Sequence, residues 1–326
     1  VTASRWTGVS AIVVRELRGR MRGRKAFIFL TFYLAVLAGL LYISLRGLGT
    51  DERFFGALES ANIGRGLFIG ILAIETLVVA ALAPAYTAGT ISQERERQTY
   101  DLLVATPITS VSIALGKLVS GLAYLLVLVL ASIPIAAIGF FFGGVEPASF
   151  VAPYVVLIAG AIGLGAVGIF FSALLKRTQA ASIATYLCLV IGTIGAIFIT
   201  DLWRAVTDDG DARPPEVAYY FNPYFAQADA FCHVTEDFSI CNSVPAGFRD
   251  EGVAPQLGGN ANAVLIDIPQ HGASNGLWMR ASLFWLGMAG VMLLGAARFI
   301  SPTHRWRPGD VVRALRGTRR SQGVEP

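Results

Sequence analysis

Six stretches of the chain are predominantly apolar for 20 residues or more: 26–45, 66–86, 118–142, 153–175, 180–200 and 277–300. A bilayer-spanning helix needs roughly 20 such residues in a row. The pattern therefore predicts an all-α membrane protein with about six transmembrane helices, because only a helix satisfies its own backbone hydrogen bonds within one apolar segment. The fourth and fifth stretches are separated only by Lys176, Arg177, Thr178 and Gln179, which predicts a tight helical hairpin. Gly160, Ala161, Gly165, Gly168 and Ser172 give the fourth stretch small residues at helical spacing, suited to close helix contact.

The segments between these stretches carry their own patterns. Before residue 26, Val9, Ile12, Val13, Leu17 and Met21 recur at helical spacing while Arg15, Arg18, Arg22 and Arg24 fill other positions. This predicts an amphipathic helix over 1–25 lying in the membrane interface. Between the second and third stretches, polar and charged residues crowd into 92–101. A short helix is expected there, with Thr90 and Gln93 as a capping box, Pro107 as its stop and Ser110 restarting the third long helix. The largest polar region is 201–276, a separate segment between the fifth and sixth helices. Its aromatic cluster at 217–221 with Tyr224 and Phe225 is expected to lean back onto the bilayer, where such rings are favoured. A basic tail, 301–326, follows the last helix.

Composition strengthens the membrane reading. The chain is 54% hydrophobic and 15% charged, against about 25% charged in ordinary soluble domains. Mean hydropathy is +0.60. The N-terminal arginines, Arg95, Arg97 and Lys117, then Lys176 and Arg177, and finally Arg305, Arg307, Arg313, Arg316, Arg319 and Arg320 all fall on one side if six helices cross. The positive-inside rule makes that side the cytoplasm, with both termini there, 201–276 outside, and the chain in the cell membrane. Arg46, Arg53 and Arg65 lie on the other side, accompanied by Asp51, Glu52 and Glu59. No apolar stretch stands alone at the start with a cleavage site behind it, so no removable signal peptide is expected. The basic clusters hug helix ends without any nucleic-acid-binding module, so lipid headgroups are the expected anionic partners and nucleic acid is not.

Candidate chemistry is sparse. Glu75 is the one acidic residue well inside an apolar stretch, and such a carboxyl either faces a transport path or is held by hydrogen bonds in helix packing. Cys232 and Cys241 share the outer segment, where an oxidising compartment favours a disulfide over two unpaired thiols. His233, His271 and His304 lack metal-ligand spacing, so no metal site is expected. No catalytic constellation is present. The nucleotide-binding pattern G-x-x-x-x-G-K-[ST] is absent: Gly116-Lys117 is followed by Leu118 and preceded at the required position by Val111.

Residues 91–107, ISQERERQTYDLLVATP, followed by Gly116-Lys117, resemble the ABC-2 type ABC transporter permeases. That family typically shows an E-R-E, then Thr, an acidic residue, paired leucines and T-P between its second and third helices. The resemblance extends to the basic N-terminal helix, the six crossings, and an outer segment bearing an N-P pair such as Asn222-Pro223. It implies that 91–107 is a cytoplasmic coupling helix docking on an ATPase subunit through Glu94, Arg95, Glu96, Thr99, Asp101, Leu102, Leu103, Thr106 and Pro107. It further implies that ATP and magnesium are bound by that partner and not by this chain, and that a second permease chain, identical or related, completes the translocation path. Gln98 stands where the family often has glycine, and 201–276 is long for a simple member. The function expected is substrate export powered by a separate subunit. The competing classes are a secondary transporter or channel, for which only Glu75 speaks, a polytopic enzyme, which lacks a catalytic cluster, and a membrane scaffold or sensor subunit that would use 201–276 as its binding module.

Overall fold

A computed structural model of the protein describes residues 24–47, 57–100, 109–141, 147–207, 216–232 and 277–300. Every regular element among them is a helix: α1 (Arg24–Gly47), α2 (Ala57–Thr87), α3 (Ser92–Glu96), α4 (Ser110–Ala136), α5 (Ile138–Phe141), α6 (Pro147–Leu174), α7 (Thr178–Thr207), α8 (Glu216–Tyr220), α9 (Pro223–Cys232) and α10 (Leu277–Ile300). The expected interfacial helix over 1–25 lies almost wholly outside the described residues, as do the basic tail 301–326 and most of the polar region 201–276.

Each of the six apolar stretches is helical. Five helical runs are long and apolar enough to cross a membrane, those within Gly64–Glu96, Ser110–Ala136, Phe150–Leu174, Thr178–Thr207 and Leu277–Ile300. The apolar part of α1, Phe27–Ile43, is shorter. The expected ends need one correction. The third stretch does not continue as a single helix to 142: α4 ends at Ala136, Ala137 turns, and α5 is a separate short piece. Pro134, which lacks a backbone donor, weakens the ladder one turn before the break. At its other end α4 starts where Ser110 predicted, with Thr109 accepting a hydrogen bond from the Ser112 N–H at 3.3 Å.

Helix α6 sits at the centre, packed against α10, α2, α9, α7 and α4. Its apolar window is 72% buried, against 17% for α7 at the rim. Small residues make this possible. A Cβ at Gly168 would lie 2.1 Å from Thr87 Oγ1, one at Gly163 2.4 Å from the Trp285 ring, and one at Gly165 2.9 Å from Leu118. The outer surface is apolar: Ile183, Leu187, Ile191, Ile194 and Phe198 on α7, and Leu283, Val291 and Leu294 on α10, are all exposed. With lipid as solvent such a surface is stable, whereas in water it would associate.

Helices α8 and α9 fold the aromatic cluster back onto this bundle. Tyr219, Phe225 and Phe231 are buried, and α9 packs on α6, α10 and α2. Asn222 turns the chain by accepting the Tyr224 N–H on its side-chain oxygen at 2.9 Å, after which Pro223 opens α9. Asp229 then accepts the Trp278 N–H at 2.8 Å, satisfying a donor in the first turn of α10.

Candidate functional site

The E-R-E segment follows α2 through a turn at 88–91 and forms α3. The expected capping box of Thr90 and Gln93 does not form: Ile91 is the N-cap, with no side-chain bond, and the Thr90 hydroxyl donates backwards to Thr87 O at 2.8 Å. The orphan donors of the first turn are met from another helix. Ser172 of α6, itself fully buried, accepts the Ile91 N–H at 2.9 Å and the Ser92 N–H at 3.1 Å. A long-range cap replaces the local one because Gly168, one turn earlier in α6, lets Thr87 and the chain after it come close.

The three charges of α3 then reach three different directions. Lys117 Nζ, on α4, donates to Glu94 Oε1 at 2.6 Å, with side chains 8% and 23% exposed respectively. Arg95 donates to Ala173 O at 2.7 Å and to Phe299 O at 3.3 Å, the last turns of α6 and α10. Its guanidinium carbon also lies 4.8 Å from the centre of the Tyr100 ring, and the Tyr100 hydroxyl donates to Ile300 O at 2.8 Å. Glu96 accepts the Thr178 N–H at 2.8 Å and the Thr178 hydroxyl at 2.9 Å, capping the start of α7. The Thr178 N–H, then its hydroxyl, hold the Glu96 carboxyl below the usual glutamate range, although the side chain is solvent-exposed.

These pairings follow the polarity of helix ends. Carbonyls left unbonded at a helix C-terminus attract a cation, and amides left unbonded at an N-terminus attract an anion. Arg95 meets two C-termini, and Glu96 meets one N-terminus. The alternation of charge in E-R-E matches the alternation of chain direction in the bundle.

α3 closes in a Schellman arrangement: the Gln98 N–H donates to Arg95 O at 3.2 Å and the Thr99 N–H to Glu94 O at 3.0 Å. This requires a left-handed residue, and Gln98 takes φ 58°. The Thr99 hydroxyl also donates to Glu94 O, at 3.3 Å. Asp101, Leu102, Leu103, Thr106 and Pro107 lie outside the described residues.

Glu75 occupies a second polar cluster, on α2 and fully buried. The Tyr154 hydroxyl of α6 donates to its Oε1 at 3.2 Å, while Oε2 has no hydrogen-bond partner among the described residues. Tyr33 of α1 and Ser132 of α4 lie beside it, although the Ser132 hydroxyl donates to Val129 O at 2.6 Å. Phe150 stacks on Tyr154 at 4.6 Å and on Phe68 at 5.4 Å, walling the cluster on one side.

The family model of the ABC-2 family transporter proteins matches residues 57–297, about three quarters of the chain, from α2 to the last turns of α10. The chain is an ABC-2 family permease. No curated protein matches its sequence. For this permease the matched range contains the E-R-E segment and Glu75, while Tyr33, Phe299 and Ile300 lie outside it. Of the expected Cys232–Cys241 pair, Cys232 ends α9 but its side chain and all of Cys241 lie outside what is described, and Cys188 of α7 is a free thiol. No cluster of His, Cys, Asp and Glu able to hold a metal occurs among the described residues.

Sequence reasoning found the charged segment but not its partners in the permease. Ser172 was legible only as a small packing residue, and nothing in the pattern marked the carbonyls of Ala173, Phe299 and Ile300. A signal was available for Thr178: a threonine directly after Lys176-Arg177 and before an apolar run is a helix N-cap candidate.

Proposed function

We propose that this permease is the membrane half of an exporter whose ATP is bound with magnesium and hydrolysed by a separate subunit. The observation that carries the reading is the convergence at α3. Through side chains of one short segment, α4, α6, α7 and α10 are tied together at a single end of the bundle. A push delivered there reaches four helices at once, which is what a coupling element between a soluble motor and a membrane path must do. That end is assigned to the cytoplasm of the cell membrane by its basic residues. The absent P-loop assigns nucleotide binding to the partner. A second permease chain, identical or related, completes the path, and Glu75 is assigned to its lining.

Purified alone, the permease is expected to hydrolyse no ATP. Reconstituted with its P-loop ATPase subunit, it is expected to form a stable complex whose hydrolysis rate differs from that of the isolated ATPase. ATP hydrolysis by the pure permease, or failure of every P-loop ATPase from its native membrane to bind it, would overturn the assignment.

A further inference from the structure

Resting on that reading, we infer that Glu94 and Arg95 are positioning residues that face the bundle, and that the ATPase docks on the opposite side of α3, at Gln93, Arg97, Gln98 and Thr99. The family resemblance alone assigns docking to the whole E-R-E; the geometry divides it.

Both members of the inner pair are already engaged within the chain. Glu94 Oε1 is held by Lys117, and its Oε2 is buried, out of a partner's reach, with no hydrogen bond among the described residues. The Arg95 guanidinium spans the last turns of α6 and α10 and has one face beside Tyr100. For a partner to engage either group it must first break charge-assisted bonds between partly buried atoms, which are stronger than their exposed counterparts. Gln93, Arg97, Gln98 and Thr99 are all exposed. Gln93 and Arg97 are four residues apart and share a face, and the left-handed turn at Gln98 folds Thr99 back so that its N–H meets Glu94 O at 3.0 Å. This surface offers amides, a hydroxyl and one guanidinium, so the complementary ATPase surface is polar with a carboxylate facing Arg97. Glu96 stands between the two roles, exposed yet capping α7.

The division also explains how docking becomes movement. Force arriving at the outer face of a five-residue helix dissipates unless the inner face is fixed. The Glu94–Lys117 and Arg95–carbonyl contacts fix it to α4, α6 and α10.

The test uses the reconstituted permease–ATPase complex and two readouts, retention of the ATPase and its hydrolysis rate relative to the isolated ATPase. Arg97→Glu is expected to weaken retention by about tenfold or more, as loss of a complementary interface charge does. Glu94→Lys is expected to leave retention within about twofold while returning hydrolysis toward the isolated rate, because its ion pair lies away from the interface. The charge exchange Glu94→Lys with Lys117→Glu is expected to restore coupling, which also separates this role from misfolding of the single variant. If Glu94→Lys loses the ATPase as Arg97→Glu does and the exchange does not recover it, Glu94 is a docking contact and the inference falls. Unchanged retention in Arg97→Glu overturns the assigned surface. If the wild-type permease retains no ATPase, the permease–ATPase reading itself has failed, an outcome distinct from both.

Discussion

Gln98 shows how much a single position can carry. Its φ of 58° places a side chain in the left-handed region that glycine occupies without steric cost. The family's frequent glycine at this position thus has a physical cause, the Schellman closure of α3, and not a chemical one. Gln98→Gly is expected to change stability by only about 1 kcal/mol, with relief of strain exceeding the entropy gained by the unfolded chain. A rise in melting temperature of the purified permease checks this, and a clear fall refutes it. Glu75 poses the opposite case, a residue visible in the sequence whose surroundings were not. Nothing in the pattern said that Tyr33, Ser132 and Tyr154 come from three other helices to meet it, because that depends on how each helix is rotated. Glu75→Gln keeps the size and an oxygen to accept from Tyr154. Near-normal membrane yield with lowered transport of whichever compound stimulates the complex is expected. Transport equal to wild type assigns Glu75 to packing.

Among elements, the long helices were legible because 20-residue apolar runs have few other structures available to them. Boundaries were less so: the break between α4 and α5 falls inside an apolar run, where hydropathy has no contrast to offer. The small residues of α6 were also visible, but not which of them matter. Gly163 meets Trp285 and Gly168 meets Thr87, while Gly160 faces open space. The rotation of α6 is set by all its neighbours together, and no single helix encodes it. Gly168→Ala places a methyl within 2.1 Å of Thr87 Oγ1 and 3.1 Å of the Ala88 nitrogen. The end of α2 must then move, and with it the segment that leads into α3. A loss of about 1–3 kcal/mol is expected from such overpacking, seen as a lower melting temperature together with weaker control of the ATPase. Gly160→Ala is expected to be neutral or slightly stabilising, since alanine favours the helix by up to about 1 kcal/mol. Equal effects at the two sites would mean that α6 does not pack on α2 as described.

At the scale of the whole molecule, the charge distribution and the side-chain contacts point to the same end of the bundle. The positive-inside reading required Arg95, Lys117 and Arg177 to share a side, although they lie in different connections of the chain. In the folded protein Glu94 pairs with Lys117, Glu96 caps α7 beside Arg177, and Arg95 reaches the last turn of α10, where Arg298 also lies. These basic residues therefore do gather at one end of the bundle. The proposed function puts that end in the cytoplasm, and the permease with Cys188→Ser, Cys232→Ser and Cys241→Ser offers a clean background for probing it. In intact cells an impermeant thiol reagent is expected to spare Thr99→Cys and Arg319→Cys and to label Asn260→Cys, whereas after permeabilisation all three should react. The pairing of Thr99 with Arg319 matters most. With six crossings, as proposed, Thr99 follows two and Arg319 follows six, so equal shielding requires that an even number of crossings separate them. Labelling of Thr99→Cys from outside would invert the bundle and put α3 where no soluble ATPase can reach it. Labelling of Arg319→Cys alone would leave α3 in place but remove one crossing after it, and the exposed rim helix α7, buried over only 17% of its apolar window, would then be the first to re-examine.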